Sequence, residues 1–107
     1  MKKILEKDIQ LAICDYLALK GYKLFWRQNT TPVFEQKSGF YRPMPKYSMK
    51  GVADIIIIKD GKAIFIEVKR KGNKLSEAQE EFKAKCEMVG ARYITAYSLD
   101  DIIAEGL

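Results

Sequence analysis

At 107 residues, 48% hydrophobic and 31% charged with only three prolines, the chain has the composition of a folded soluble protein. Its length suits one domain (residues 1–107) with a single core and no large enclosed active site. Nineteen Lys and Arg against fourteen Asp and Glu give +5, which favours a polyanionic partner, and the absence of histidine excludes Cys/His zinc sites, Ser-His-Asp hydrolases and histidine-based nucleases, leaving any chemistry to carboxylates and lysine.

Lys2 to Lys20 carries Ile4, Leu5, Ile9, Ala12, Ile13, Tyr16 and Leu17 at helical spacing, and Gly21 follows as a stop, so a first helix is expected. Its charged start, Lys2, Lys3, Glu6, Lys7 and Asp8, lacks a signal-peptide core, and no segment approaches the roughly 20 apolar residues of a membrane span, so a cytoplasmic location is expected. Tyr22 to Asn29 alternates as a half-buried strand. Thr30 to Lys50 holds all three prolines without a stable period and reads as a long loop with room for a short hairpin. Val52 to Lys59 and Lys62 to Arg70 are apolar strands joined by Asp60-Gly61, a strong two-residue hairpin signal. Ser76 and Gln79 form a capping box opening a helix whose buried stripe is Phe82, Cys86 and Val89 and whose stop is Gly90. "ARYITAYS" reads as a fourth strand and "LDDIIAEGL" as a short final helix. Cys14 and Cys86 fall on the apolar sides of their helices, as reduced, buried thiols.

Strands apolar on both sides need cover on both faces, and the strand after the second helix requires a crossover. The expected fold is α/β: a three-layer α/β/α sandwich with a mixed central sheet, a core of order αβββαβ and a short C-terminal helix.

The Asp60-Gly61 turn also sets the register. It pairs Lys59 with Lys62 and, walking away from the turn, brings Asp54 opposite Glu67. Alternation then puts Asp54, Ile56, Ile58, Ala63, Phe65, Glu67 and Lys69 on one face, and Ile55, Ile57, Ile64, Ile66 and Val68 on the other. Opposed residues have Cβ atoms roughly 4.5–5.5 Å apart, where two carboxylates repel unless one is protonated or a cation lies between them. Lys69 could neutralise Glu67 as an ordinary ion pair. A divalent cation suits the arrangement better, since Mg²⁺ is held by one or two carboxylates, waters and a substrate phosphate, with Lys69 orienting or activating the attacking water.

These residues resemble the PD-(D/E)XK nuclease superfamily, with "GVAD" followed by "IEVK", and more closely its VRR-NUC branch: Glu6 in "LEKDIQ", then "KGVAD", "FIEVKR" and "LSEAQ", in order over nearly the whole chain. The resemblance, to the stand-alone phage and bacterial type, implies a restriction-endonuclease-like core and a Mg²⁺-dependent endodeoxyribonuclease, with Mn²⁺ able to substitute. It implies hydrolysis of phosphodiesters at branched DNA such as Holliday junctions or flaps, in DNA repair, without a nucleotide cofactor. Asp54 and Glu67 would ligate the metal with the Val68 carbonyl, Lys69 would serve the water, and Glu6 and Gln79 would complete the site from their helices. Two positions depart from the family pattern: Ala53 replaces the usual proline before the aspartate, and Val68-Lys69-Arg70 replaces the valine-arginine-arginine run.

Other readings stand beside this one. Glu6 is also a favourable acid near a helix N-terminus, and Gln79 is accounted for by its capping box. Arg27, Lys37, Arg42, Lys46, Lys50 and Arg70 are candidate phosphate contacts; Phe34, Phe40, Tyr41 and Tyr47 either stack on unpaired bases or pack the loop onto the core or onto a second subunit. Cutting two symmetric strands would call for a twofold dimer. A non-catalytic DNA-binding module, a small structural protein and a restriction or repair nuclease without junction preference are the alternatives.

Overall fold

The computed structural model describes residues 4–28, 34–35, 40–41 and 45–107. Along the chain run α1 (Glu6–Lys20), β1 (Phe25–Arg27), β2 (Phe34–Glu35), β3 (Phe40–Tyr41), β4 (Ile55–Lys59), β5 (Lys62–Val68), α2 (Glu77–Met88), β6 (Arg92–Ala96) and α3 (Leu99–Ala104). Four strands form a mixed sheet in the order β1-β4-β5-β6, in which β1/β4 and β4/β5 are antiparallel and β5/β6 parallel. β2 and β3 pair separately as the short hairpin anticipated within the loop.

The β4/β5 register follows from the turn. Asp60 and Gly61 both have positive φ, 52° and 74°, as a type I′ turn requires. The observed pairs run from Lys59↔Lys62 to Ile55↔Ile66.

The two faces differ as the alternation predicts. Ile55, Ile57, Ile64, Ile66 and Val68 pack with Ile9, Ile13 and Leu17 of α1 and Ile102 of α3. On the other face Phe65 and Tyr93 meet α2: the Phe65 and Phe82 rings cross at 79° with centroids 5.2 Å apart, and Cys86 and Ala53 complete the cluster. With α1 and α3 on one side and α2 on the other, the three layers are present. Each buried isoleucine contributes about 1.5–3 kcal/mol, which holds the two central strands rigidly enough to carry a buried acid at their end.

Three boundaries differ from expectation. α1 starts at Glu6 rather than Lys2, where Asp8 Oδ2 accepts the Leu5 N–H at 3.2 Å. β1 is shorter than Tyr22–Asn29 because the Tyr22 N–H closes the end of α1, donating to the Leu17 carbonyl at 3.1 Å, while its hydroxyl donates to the Leu107 carbonyl; Asn29 lies outside the described residues. Val89 is 79% exposed rather than buried, because α2 ends at Met88 and Val89 is its cap, leaving Phe82 and Cys86 as the buried residues of that helix. Both cysteines are free: Cys86 is buried, Cys14 half-buried, and burial raises both thiols. Among the described residues no helix is long and apolar enough to cross a membrane.

Candidate active site

One step beyond Ile55↔Ile66, the chain carries Asp54 beside Glu67. Asp54 is held from both neighbouring strands: its carbonyl accepts the Gln28 N–H at 2.7 Å and its Oδ2 accepts the Val68 N–H at 2.8 Å. Glu67 is 2% exposed, the one buried charged side chain among the described residues, and its Oε2 has no hydrogen-bond partner. Burial first and the Asp54 carboxylate second push the Glu67 pKa up to about 9, against the opposing pull of Lys69. Lys69 is half-buried just past the end of β5, where its N–H donates to the Ala96 carbonyl at 2.9 Å.

Two helices bring in the remaining motif residues. Glu6, the first residue of α1, accepts the Arg70 N–H on Oε2 at 3.3 Å, so it lies against the end of β5. Gln79 is engaged by its cap: Oε1 accepts the Ser76 N–H at 2.8 Å while Ser76 Oγ accepts the Gln79 N–H at 3.2 Å. That first turn of α2 touches the loop before Asp54 through Gly51. At φ 73°, a Cβ on Gly51 would run into the Ala78 carbonyl and the Gln79 nitrogen. The glycine of "KGVAD" thus allows α2 to approach the acids' strand.

Tyr93 is a neighbour of the acids that motif reading does not find. It sits on β6 opposite Phe65, on the face that carries Glu67, with its hydroxyl buried and unpartnered. Burial, then Glu67, Cys86, Asp54 and Glu80, raise its pKa. The sequence shows a strand at "ARYITAYS", but that it lies parallel beside β5 depends on the crossover through α2.

The basic candidates are dispersed. Arg27 is opposite Ile55, so it points to the α1 side, where its guanidinium donates to Gln10 Oε1 at 2.9 Å. Lys46 and Lys50 are exposed, and the Lys46 ammonium lies 5.1 Å from the ring centroid of Tyr47, itself 89% exposed. Arg70 is half-buried beside Glu6. Lys37 and Arg42 lie outside the described residues, as do the side chains of Phe34, Phe40 and Tyr41. A cleft of about 460 Å³ bordered by Lys20, Lys23 and Lys59 opens at the turn end of β4 and β5, the end away from the acids.

Among the described residues no three His, Cys, Asp or Glu side chains converge as a metal cage. The donors present are two carboxylates, one with an unpaired buried oxygen. That set fits an oxygen-loving cation completed by water and phosphate oxygens, such as Mg²⁺, and not a structural zinc.

Among solved structures, a chain described as "VRR_NUC domain protein" has a TM-score of 0.70 to this one, with 18% identity over 96% of this chain and 85% of that one. No protein-family model and no curated protein matches the sequence. The likeness is one of fold, and it agrees with the resemblance carried by "KGVAD", "FIEVKR" and "LSEAQ".

Proposed function

We propose that the chain is a metal-dependent DNA endonuclease whose site is the Asp54–Glu67 pair with Lys69. The observation that carries this reading is Glu67: a carboxylate that is 2% exposed, has an unpaired oxygen and lies beside a second carboxylate is costly in a purely structural role. Isoleucines of similar volume would stabilise the same strands without that cost. Asp54, Glu67 and the Val68 carbonyl would hold the cation, Mg²⁺ with Mn²⁺ as substitute. When bound, it supplies charge neutralisation at a phosphodiester and a more acidic water.

The chain's own groups do the rest. Val68 N–H fixes the Asp54 carboxylate, so that this ligand is oriented before anything binds. Lys69, compact and cationic, donates to a phosphate oxygen or to the attacking water. Glu6 secures the backbone just past Lys69 by accepting from Arg70. Gln79 positions the N-terminus of α2 next to the Gly51 loop, and its side-chain amide nitrogen is the group it would offer to the site. Branched DNA, cut by a twofold dimer, is the substrate we propose.

The test incubates purified protein with labelled four-way junction, flap, single-stranded and blunt duplex DNA in Mg²⁺, Mn²⁺ or EDTA, beside Glu67→Gln and Lys69→Ala. Cleavage that requires the cation and falls by about 10²–10⁴-fold in Lys69→Ala is expected. Cleavage indifferent to EDTA and to both substitutions would refute the mechanism. Equal cutting of all four DNAs would remove the preference for branched substrates alone.

A further inference from the structure

Trp26 is the one tryptophan of the chain and stands on β1, the strand at the edge of the sheet next to β4. It pairs directly with Ile56, so it shares the face that carries Phe65 and Glu67. Asp54 is its diagonal neighbour on β4, a separation of roughly 7–8 Å that a large aromatic side chain can bridge. α2 covers Phe65 and Tyr93 on the far half of that face, while Trp26 remains 39% exposed at its margin.

The indole is also held. Its Nε1–H donates to Gln28 Oε1 at 2.9 Å, and the Gln28 N–H donates to the Asp54 carbonyl at 2.7 Å. The polar edge of the ring is thereby satisfied within its own strand, so the chemistry left for the exposed part of the side chain is that of its π-system. Its orientation is tied through one residue to the backbone of a proposed metal ligand. A rigid aromatic surface beside an acid pair, with Lys69 on the same face and a net charge of +5, is a stacking platform next to a phosphate-binding position.

We infer that Trp26 stacks on an unpaired nucleobase of the DNA strand whose backbone passes Asp54 and Glu67. The inference rests on the proposed nuclease reading for the path of that backbone and adds a requirement to it. A base already stacked and paired within a duplex presents no free π-face, so the platform selects DNA with an unpaired nucleotide near the site, as in a flap, a gap or the branch point of a junction. Stacking tolerates any base, so the selection is for structure and not for sequence.

Because Trp26 is the sole tryptophan, its fluorescence reports the contact directly. In EDTA, the protein is titrated with oligothymidylate, a flapped duplex and a blunt duplex, and binding is followed in parallel by the anisotropy of labelled DNA. Quenching at saturation by the single strand and the flap, and much less by the blunt duplex, is expected. Trp26→Ala should weaken single-strand binding by about 5- to 150-fold, the range for loss of one base–aromatic stack, and Trp26→Phe should retain most of it, with thermal unfolding of both variants confirming the fold. DNA bound without any change in tryptophan emission, equal quenching by all three DNAs, or unchanged affinity of Trp26→Ala would overturn the inference. So would emission that depends on protein concentration alone, which would place the indole against a second copy. Cleavage without quenching removes the stacking and leaves the nuclease reading standing, whereas quenching without cleavage under any divalent cation does the reverse.

Discussion

Asp54 and Val68 are joined across the β4/β5 hairpin by a hydrogen bond of 2.8 Å from the Val68 N–H to Asp54 Oδ2, one residue past the last regular pair of the ladder. The side chain thus does a backbone's work while also presenting a charge to Glu67. The two roles separate by substitution. Asp54→Asn keeps an acceptor for the Val68 N–H and should leave stability nearly unchanged around neutral pH, where Glu67 holds its proton. Asp54→Ala leaves a buried N–H unpaired and should lose about 1–3 kcal/mol. Both should lose divalent-cation binding, measured by calorimetry. Retained cation binding in Asp54→Asn would exclude this carboxylate as a ligand.

Glu67 makes the cation-free protein sensitive to pH in a defined direction. Its ordinary value is 4.5, and in the fold it titrates at about 9. Below pH 4.5 folded and unfolded chains both hold the proton. Between 4.5 and 9 the unfolded chain releases it while the fold retains it, so this group's contribution to stability falls as pH rises, by up to about 1.4 kcal/mol per pH unit. Urea unfolding in EDTA across that window should show the decline, and Glu67→Gln should flatten it. Added Mg²⁺ should stabilise the wild type increasingly as pH rises, since the cation binds the ionised form. A flat wild-type profile would mean that Glu67 is solvated or paired.

Gly51 tests how closely the acid strand and α2 must approach. Gly51→Ala combines a positive φ with a Cβ driven into the Ala78 carbonyl, so a loss of about 1–3 kcal/mol is expected, together with displacement of the first turn of α2. Gly72 also has a positive φ, 91°, yet nothing lies within 4 Å of its Cβ position; Gly72→Ala should therefore cost less. Equal losses in the pair, compared by thermal unfolding, would show that the contact with Ala78 contributes nothing beyond backbone strain.

What could be read from sequence was governed by short-range chemistry. Asp60-Gly61 fixes the hairpin through its two positive φ values, and that turn alone carries Asp54 to Glu67. The Ser76–Gln79 box fixes the start of α2 for a similarly local reason. The contributions of Tyr93 and Trp26 were not legible, because each acquires its relation to the acids from a neighbouring strand: Tyr93 from the parallel pairing of β6 with β5, Trp26 from the pairing of β1 with β4. Alternation says only that such residues have a face, and long-range pairing decides which face. β1 is shorter than its alternating pattern predicts because the end of α1 takes the Tyr22 N–H, a competition that alternation cannot reveal.

Tyr93 gives the last prediction. Its ring packs near Phe82, with centroids 6.3 Å apart, while its buried hydroxyl has no partner and faces the region of Glu67. A buried hydroxyl without a hydrogen bond costs about 1–3 kcal/mol, so deleting it while keeping the ring should be neutral or stabilising. Tyr93→Phe is therefore expected to unfold at the same or higher urea concentration in the absence of divalent cation. With the cation and DNA bound, the phenol is a neutral donor on the face that carries Glu67, one pair along from Thr95, which lies directly opposite Glu67, and its loss should lower cleavage without altering DNA affinity. A variant that is destabilised in EDTA would show instead that the hydroxyl is satisfied within the fold, and cleavage at the wild-type rate would confine Tyr93 to packing.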